Sequence, residues 1–291
     1  MHKKLLILGA NGMLGSSIHR YFSQTQHATL GTVRSASSKN LISKLGFNNI
    51  VDGIDVLVEG SLENLIKEYQ PDYVFNCIGL IKQLSTSQQP TLAIEINSLF
   101  PHKIAQLCSK YNSQLIHFST DCVFSGKTGN YNEDSIPDAF DLYGRSKLLG
   151  EVAYDNHITF RTSIIGHELE SNVSLINWFL NQSNPVKGFS NAVFSGLPTY
   201  YIAEFIDYYI INNSDFSGLY HLSAEPINKY RLLNLVKEIY DVKTDIIEYP
   251  DFVINRSLNS GKLKSTLSYT PPNWQDLIKK MHYEYNLYFK N

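Results

Sequence analysis

The sequence predicts an α/β protein, a doubly wound parallel sheet followed by a smaller C-terminal domain. Three observations carry this. Short, uninterrupted apolar runs such as Leu5-Leu6-Ile7-Leu8 end in glycine, as strands buried on both faces do. Segments of helical spacing alternate with those runs, and parallel neighbours need such crossovers. The connections are short as far as residue 166, after which the alternation loosens.

In order, residues 5–8 form the first strand, and Leu14, Ile18, Tyr21 and Phe22 recur at helical spacing. Residues 29–33 form a second strand. A helix over 62–69 stops at Pro71, and 73–77 is another buried run. A long helix over 92–111, a strand over 114–119, a helix over 143–154 and a strand over 158–162 follow. Beyond Ile165 come a helix near 175–180, turn-rich sequence over 185–198 and a helix over 201–211. A strand over 219–222, a helix over 230–240, a strand near 245–249 and a terminal helix from Trp274 complete the chain. The expected organisation is a Rossmann-like nucleotide-binding domain over 1–166 and a smaller substrate-binding domain over 167–291, some of whose segments return to the main sheet.

Bulk composition excludes several classes. Apolar residues make up 43% of the 291 and charged residues 18%, a globular balance. The net charge of −2 arises from 25 basic and 27 acidic residues with no long run of either, so the footprint that nucleic acid requires is missing. Cys77, Cys108 and Cys122 are odd in number and lack metal spacing, as do the histidines, which argues against a disulfide framework or a metal site and for a reducing compartment. Met1-His2-Lys3-Lys4 and the run after it imitate a signal peptide, but Gly9, Asn11 and Gly12 break the run at once. No stretch approaches the ~20 apolar residues of a membrane span. A cytoplasmic protein with no membrane partner is expected.

Gly9-Ala10-Asn11-Gly12-Met13-Leu14-Gly15 lies between the first strand and first helix, where a parallel sheet presents its ligand edge. Glycines there let the backbone approach a pyrophosphate, and the helix start offers unpaired N–H groups and partial positive charge. The spacing G-x-x-G-x-x-G departs from the ordinary dinucleotide fingerprint, so its position carries the argument. The second strand ends at Arg34, a cation suited to a 2′-phosphate, which favours NADPH over NADH.

Tyr143 and Lys147 are four residues apart at the start of a helix and so share a face. A phenol with pKa of about 10 is a poor acid at neutral pH, and a neighbouring ammonium brings it toward the working range. The strand before them ends in Ser119-Thr120, whose hydroxyls compete for the role of bonding a substrate carbonyl. Pro101 leaves the carbonyl of Asn97 without its helical partner, where a water can sit beside a site.

These residues resemble the extended short-chain dehydrogenases/reductases: Gly9-x-x-Gly12-x-x-Gly15, Asp55-Val56, the Asn97 helix, Ser119-Thr120-Asp121 and Tyr143-x-x-x-Lys147. Within that family the segments 118–126, 142–151 and 160–163 look most like dTDP-4-dehydrorhamnose reductases, densely over 1–166 and thinly beyond. The resemblance implies that Tyr143 donates the proton, that Lys147 holds the nicotinamide ribose and tunes Tyr143, and that Thr120 orients the keto oxygen. Asn97 would support a water next to Lys147. It further implies that Gly9, Asn11, Gly12, Met13, Leu14 and Gly15 line the pyrophosphate, Arg34 the adenosine phosphate, Asp55 and Val56 the adenine, and Cys77, Ile78 and Gly79 the inner ribose. Thr120, Asp121, Val123, Phe124 and Ile164 would face a nucleotide-linked 4-keto-6-deoxysugar destined for surface polysaccharide.

Two departures bear on the sugar. Ile164 stands where rhamnose-forming reductases usually place a tryptophan, and the loop from Asn76 to Lys82 differs from theirs. An N-acetylated or other keto-deoxysugar is then open, with its nucleotide near Trp178, Lys187 and Gly196-Leu197-Pro198-Thr199. The rival readings are an epimerase or dehydratase on the same scaffold, and a non-catalytic NADP-binding regulatory subunit. Cys122 follows Asp121 where dehydratases carry a second acid. In many relatives the helices near 92–111 and 142–154 form a dimer interface, so the resemblance admits a homodimer.

Overall fold

The computed structural model describes residues 2–81, 89–211, 213 and 215–290; Lys82, the last residue of the divergent loop, lies outside them. The chain runs β1 (Lys4–Leu8), α1 (Met13–Phe22), β2 (Ala28–Thr32), α2 (Ala36–Lys44), β3 (Ile50–Val51), α3 (Ser61–Tyr69) and β4 (Tyr73–Asn76). Next come α4 (Pro90–Ala93), a π-helical turn (Ile94–Leu99), α5 (Phe100–Lys110), β5 (Gln114–Thr120), a 3₁₀ turn (Asp121–Val123), α6 (Leu142–Leu149) and β6 (Ile158–Thr162). Then follow β7 (Ile164–Ile165), α7 (Leu175–Leu180), β8 (Val186–Phe189), β9 (Ala192–Phe194), β10 (Leu197–Pro198) and α8 (Thr199–Tyr209). The chain closes with β11 (Gly218–His221), β12 (Ile227–Asn228), α9 (Lys229–Tyr240), β13 (Ile246–Tyr249), β14 (Ile254–Asn255), α10 (Gly261–Leu267) and α11 (Trp274–Tyr288).

The central sheet has seven strands in the order β11-β6-β5-β4-β1-β2-β3. From β1 the chain winds outward to β2 and β3, then returns to β4 on the other side, which makes the space after β1 and β4 a topological switch point. Leu8 pairs with Thr32 and Asn76, and Asn76 with His117, all in parallel. The ends of β1, β2 and β4 therefore reach the same level, and β5 runs three residues past it to Thr120.

By internal contacts the chain divides into two compact units. The first comprises Met1–Ser119, Phe140–Phe160 and Ile202–Leu219, and the second Thr120–Ala139, Arg161–Tyr201 and Tyr220–Asn291. In the first, Leu6, Leu8, Val74 and Leu115 of the sheet are buried with Leu62, Ile66, Phe100, Ile104 and Cys108 of the helices. In the second, Ile165, Ile176, Phe179, Val186, Leu232, Val236, Ile278 and Met281 form a separate core.

Two helices differ from the sequence reading. The long helix is not a single kinked rod: the turn before Pro101 widens into a π-helical turn, because proline has no N–H to offer the carbonyl four residues back. The helix expected to reach residue 154 ends at Leu149, since Gly150 is packed against the Asn97 carbonyl and turns the chain. The segment α2, absent from the sequence reading, has only Leu41 and Ile42 as large apolar residues and is instead begun by Ser35, whose hydroxyl accepts from the Ser38 N–H at 3.2 Å.

Candidate active site

In the first unit the glycine loop closes β1 onto α1. Gly9 has φ +78°, a left-handed conformation that favours glycine, and a Cβ there would stand 2.9 Å from Ile78 Cγ1. Its carbonyl accepts from the Gly12 N–H at 3.1 Å and fills the space a side chain at Gly15 would need. Gly12 is different: its Cβ would meet only the Gly9 carbonyl oxygen, at 3.5 Å, and would project into open space over the loop. Gly12 is also the N-cap of α1 and offers no side-chain cap, and the first turn holds no acidic residue. The helix start thus keeps its positive end for an anion. The residues present fit a dinucleotide.

The other predicted cofactor residues stand around this loop. Asn11 Nδ2 donates to Ser38 Oγ at 3.3 Å, tying the loop to α2. Met13 is half-buried and Leu14 buried in the first turn of α1. Arg34 is exposed directly after β2, beside the capping Ser35. Asp55 Oδ1 accepts from the Leu57 N–H at 3.0 Å, so the carboxylate shapes its own loop, and Val56 packs on the core. The Cys77 N–H donates to Leu8 O at 3.2 Å and the Ile78 N–H to Asn76 Oδ1 at 3.2 Å, which places this strand end against the glycine loop. Burial pushes the Cys77 thiol well above its usual range, so it stands there as a neutral group.

Lys147 lies one turn from half-buried Tyr143 on α6, and its Nζ donates to Phe118 O at 2.7 Å. Burial pushes its ammonium down to about 8, with Glu151 and then Cys77 acting in the opposite direction. Asn97 borders the same place. Its Oδ1 accepts from the Leu80 N–H at 2.9 Å and its Nδ2 donates to Ser146 Oγ at 3.2 Å, while Ser146 Oγ donates to Tyr143 O at 3.0 Å. A Cβ at Gly79 would be 3.4 Å from Asn97 Oδ1 and 3.8 Å from Lys147 Nζ. Gly79, Asn97, Ser146 and Lys147 are therefore gathered in one place. Ser146 was not singled out from the sequence, although its position just before Lys147 puts it on the face of α6 toward the π-helical turn.

The second unit begins at Thr120. Its Oγ1 accepts from the Cys122 N–H at 3.1 Å, capping the 3₁₀ turn, and donates to Asp121 Oδ1 at 3.2 Å. Asp121 is buried, and burial raises its carboxyl above the usual range against the pull of Arg256 and Lys229. Lys229 is pushed down to about 8 by burial and lies with Nζ 3.5 Å from the Phe194 ring centre. Val123 and Phe124 are fully buried, Phe124 stacked on Tyr131 at 4.2 Å, so these two side chains pack the fold and only their main chain is left to meet a ligand. Ile164 is half-buried in β7. Trp178 is partly exposed, Lys187 lies 3.9 Å over the Tyr249 ring, and a side chain at Gly196 would strike the Ser163 carbonyl. Lys229 and Arg256 were not singled out from the sequence, because their approach to Asp121 joins segments that are distant in the chain.

Among the described residues no helix is long and apolar enough to cross a membrane, and no group of three or more His, Cys, Asp or Glu is gathered as a metal site would be.

A parallel sheet with a glycine loop at its switch point and a Tyr-x-x-x-Lys helix beside it defines an extended short-chain dehydrogenase/reductase. More narrowly, the chain belongs to the RmlD substrate binding domain family, whose model matches residues 3–286. Over 148 residues it is 33% identical to the probable low-salt glycan biosynthesis reductase Agl14 of Haloferax volcanii, covering 50% of this chain and 47% of that protein. Over 151 residues it is 29% identical to methionine adenosyltransferase 2 subunit beta of Xenopus laevis, covering 52% of this chain and 42% of that protein. The matches thus span about half the length of these curated relatives. The fold is that of the Bacillus anthracis dTDP-4-dehydrorhamnose reductase solved with NADP, with TM-score 0.80 at 17% identity over 98% of this chain and all (100%) of that one.

Proposed function

We propose that the protein is an oxidoreductase that uses NADPH to reduce the 4-keto group of a nucleotide-linked 4-keto-6-deoxysugar for surface polysaccharide. The observation that carries this reading is the buried Lys147 ammonium, bonded to Phe118 O one turn from Tyr143 and bordered by Gly79 and Asn97. When bound, the nicotinamide supplies the hydride that reaches C4 of the sugar. Tyr143 gives its phenolic proton to the keto oxygen as that oxygen gains negative charge. Lys147 lowers the phenol's pKa by stabilising the phenolate left behind. Asn97 holds the loop after β4 and, with Ser146, the start of α6, and a water beside Lys147 would return the proton to Tyr143.

Gly9, Gly12 and Gly15 bring the backbone to the pyrophosphate, with Asn11, Met13 and Leu14 around it. Arg34 takes the 2′-phosphate, Asp55 and Val56 the adenine, and Cys77, Ile78 and Gly79 the inner ribose. Thr120 orients the keto oxygen, with Asp121, the main chain of Val123 and Phe124, and Ile164 toward the sugar. Two similar proteins, a probable glycan biosynthesis reductase and a dTDP-4-dehydrorhamnose reductase crystallised with NADP, support the class of substrate and the cofactor.

The test follows reduced nicotinamide by absorbance with NADPH and dTDP-4-dehydrorhamnose, with Tyr143→Phe as control. Consumption that needs both the keto sugar and Tyr143 supports the reading. A second reading, a cofactor-binding subunit without turnover, is favoured by the match to an adenosyltransferase subunit beta and by the use of the Thr120 hydroxyl as a cap. NADPH binding with no oxidation by any keto sugar would bring it forward.

A further inference from the structure

Glu151 has no place in the roles above. It follows Lys147 by four residues, as Lys147 follows Tyr143, but α6 ends at Leu149 and the chain turns at Gly150. The Gly150 N–H donates to Lys147 O and the Glu151 N–H to Leu148 O, each at 3.2 Å. Glycine is required at the turn because the Asn97 carbonyl fills the position of a Cβ. Beyond it, Glu151 Oε1 accepts from Ser119 Oγ at 2.7 Å, and Lys147 Nζ donates to Phe118 O at 2.7 Å. Phe118 and Ser119 are consecutive residues of β5, whose Cα atoms are about 3.8 Å apart. The two side chains thus bond to consecutive residues of β5, and of the groups that act against the burial of the Lys147 amine Glu151 acts most strongly.

We infer that Glu151 is a positioning residue for the Tyr143–Lys147 pair, a carboxylate anchored by Ser119 whose task is to keep the buried Lys147 amine charged. The inference rests on reading Lys147 as the ammonium partner of Tyr143. An amine as buried as Lys147 tends to lose its proton, and a nearby carboxylate opposes that loss. Of the other described titratable groups around Lys147, Cys77 acts in the same direction but by less. Cys77, from the end of β4, is held as a thiol by burial. His117, from β5, lies 3.1 Å from Asn76 Nδ2 through its Nδ1, and burial pushes it well below 6.5, so it stays neutral at pH 7. Tyr143, from α6 itself, is the group the ammonium serves. Among these, Glu151 supplies the counter-charge. Ser119 gains a role as well: its proton is committed to Glu151, so it acts through that carboxylate.

The test reads Lys147 directly, without turnover. Protein carrying ¹³C-labelled lysine is titrated by NMR, and the Lys147 signal is the one absent from Lys147→Met. In the unmodified protein that signal is expected to titrate near 8. Glu151→Gln, which keeps an oxygen for Ser119, is expected to lower the midpoint by about one pH unit, a tenfold loss of proton affinity. Ser119→Ala, which removes one hydrogen bond to the carboxylate, is expected to lower it by less. The alkaline limb of NADPH oxidation would move the same way, with kcat falling more than KM rises. An unchanged Lys147 midpoint in folded Glu151→Gln overturns the inference. If that variant does not fold, an unchanged midpoint in Ser119→Ala does so. A lowered midpoint with no keto sugar reduced upholds the role of Glu151 and sinks the substrate reading alone.

Discussion

The main-chain carbonyl of Asn97 occupies the position a Cβ at residue 150 would take. Pro101 is the origin of this contact, since the widened turn it demands carries Asn97 toward α6. The same residue's side chain reaches Leu80 and Ser146, so one asparagine joins the loop after β4, the π-helical turn and α6. Gly150→Ala would place a methyl on that carbonyl and force backbone movement. A loss of about 1–3 kcal/mol is expected, read by denaturant unfolding. Turnover should fall further than stability alone explains, because Lys147 and Glu151 lie on either side of the displaced turn. A fully stable and active Gly150→Ala would sink the argument.

The three loop glycines should separate in their effects. Gly15→Ala puts a methyl onto the Gly9 carbonyl and should destabilise the fold with or without cofactor. Gly12→Ala meets open space, so the free protein should melt within a few tenths of a kcal/mol of the parent. Its NADPH affinity should drop by about tenfold or more, because the methyl stands where the pyrophosphate must approach the backbone. Thermal melts paired with NADPH titration by fluorescence check both, and equal NADPH affinity in Gly12→Ala and parent would contradict the placement.

Thr120 has two demands on one hydroxyl. Its Oγ1 caps the 3₁₀ turn through the Cys122 N–H and is also the proposed partner of the keto oxygen. Thr120→Val should cost about 1 kcal/mol for the lost cap and should also lower kcat. Thr120→Ser keeps the oxygen and should recover both. Unfolding and steady-state kinetics on the two variants separate them; a Val variant with parental kcat would remove Thr120 from the chemistry.

Much of this was legible in the sequence because it is local. The glycine loop, the Tyr143–Lys147 spacing and the apolar runs of β1, β4, β5 and β6 announce themselves within a few residues. What was not legible depends on contacts between distant segments. Nothing near residue 150 in the chain indicates that Asn97 will meet it, so the expected helix ran five residues too long. Ser119 and Thr120 are equivalent as a pair of adjacent hydroxyls, and only the arrival of Glu151, 32 residues later, distinguishes them. The strands β8 to β10 were read as turns because two-to-four-residue strands carry no period. Val123 and Phe124, carried over as substrate residues by motif, turned out to have fully buried side chains.

Lys147 should trade stability for function in a pH-dependent way. Its amine is pushed from an ordinary 10.5 to about 8, and burial is the cause. Below pH 8 both the folded and unfolded chains hold the proton, so the cost of the buried charge is present in full, on the order of 3 kcal/mol. Between about 8 and 10.5 the folded chain has released a proton that the unfolded chain still binds, so stability from this group rises with pH. Lys147→Met removes the charge but also the bond to Phe118 O, worth about 1–2 kcal/mol. The variant should therefore be more stable than the parent by about 1–2 kcal/mol at pH 7, and that advantage should shrink or reverse by about pH 9.5. Its turnover should fall by at least ~100-fold, since the phenol of Tyr143 loses its ammonium. Urea unfolding of both proteins at the two pH values decides the matter: a stability difference that does not change with pH would mean that folded Lys147 keeps its proton as firmly as the unfolded chain does, so that burial does not depress its amine.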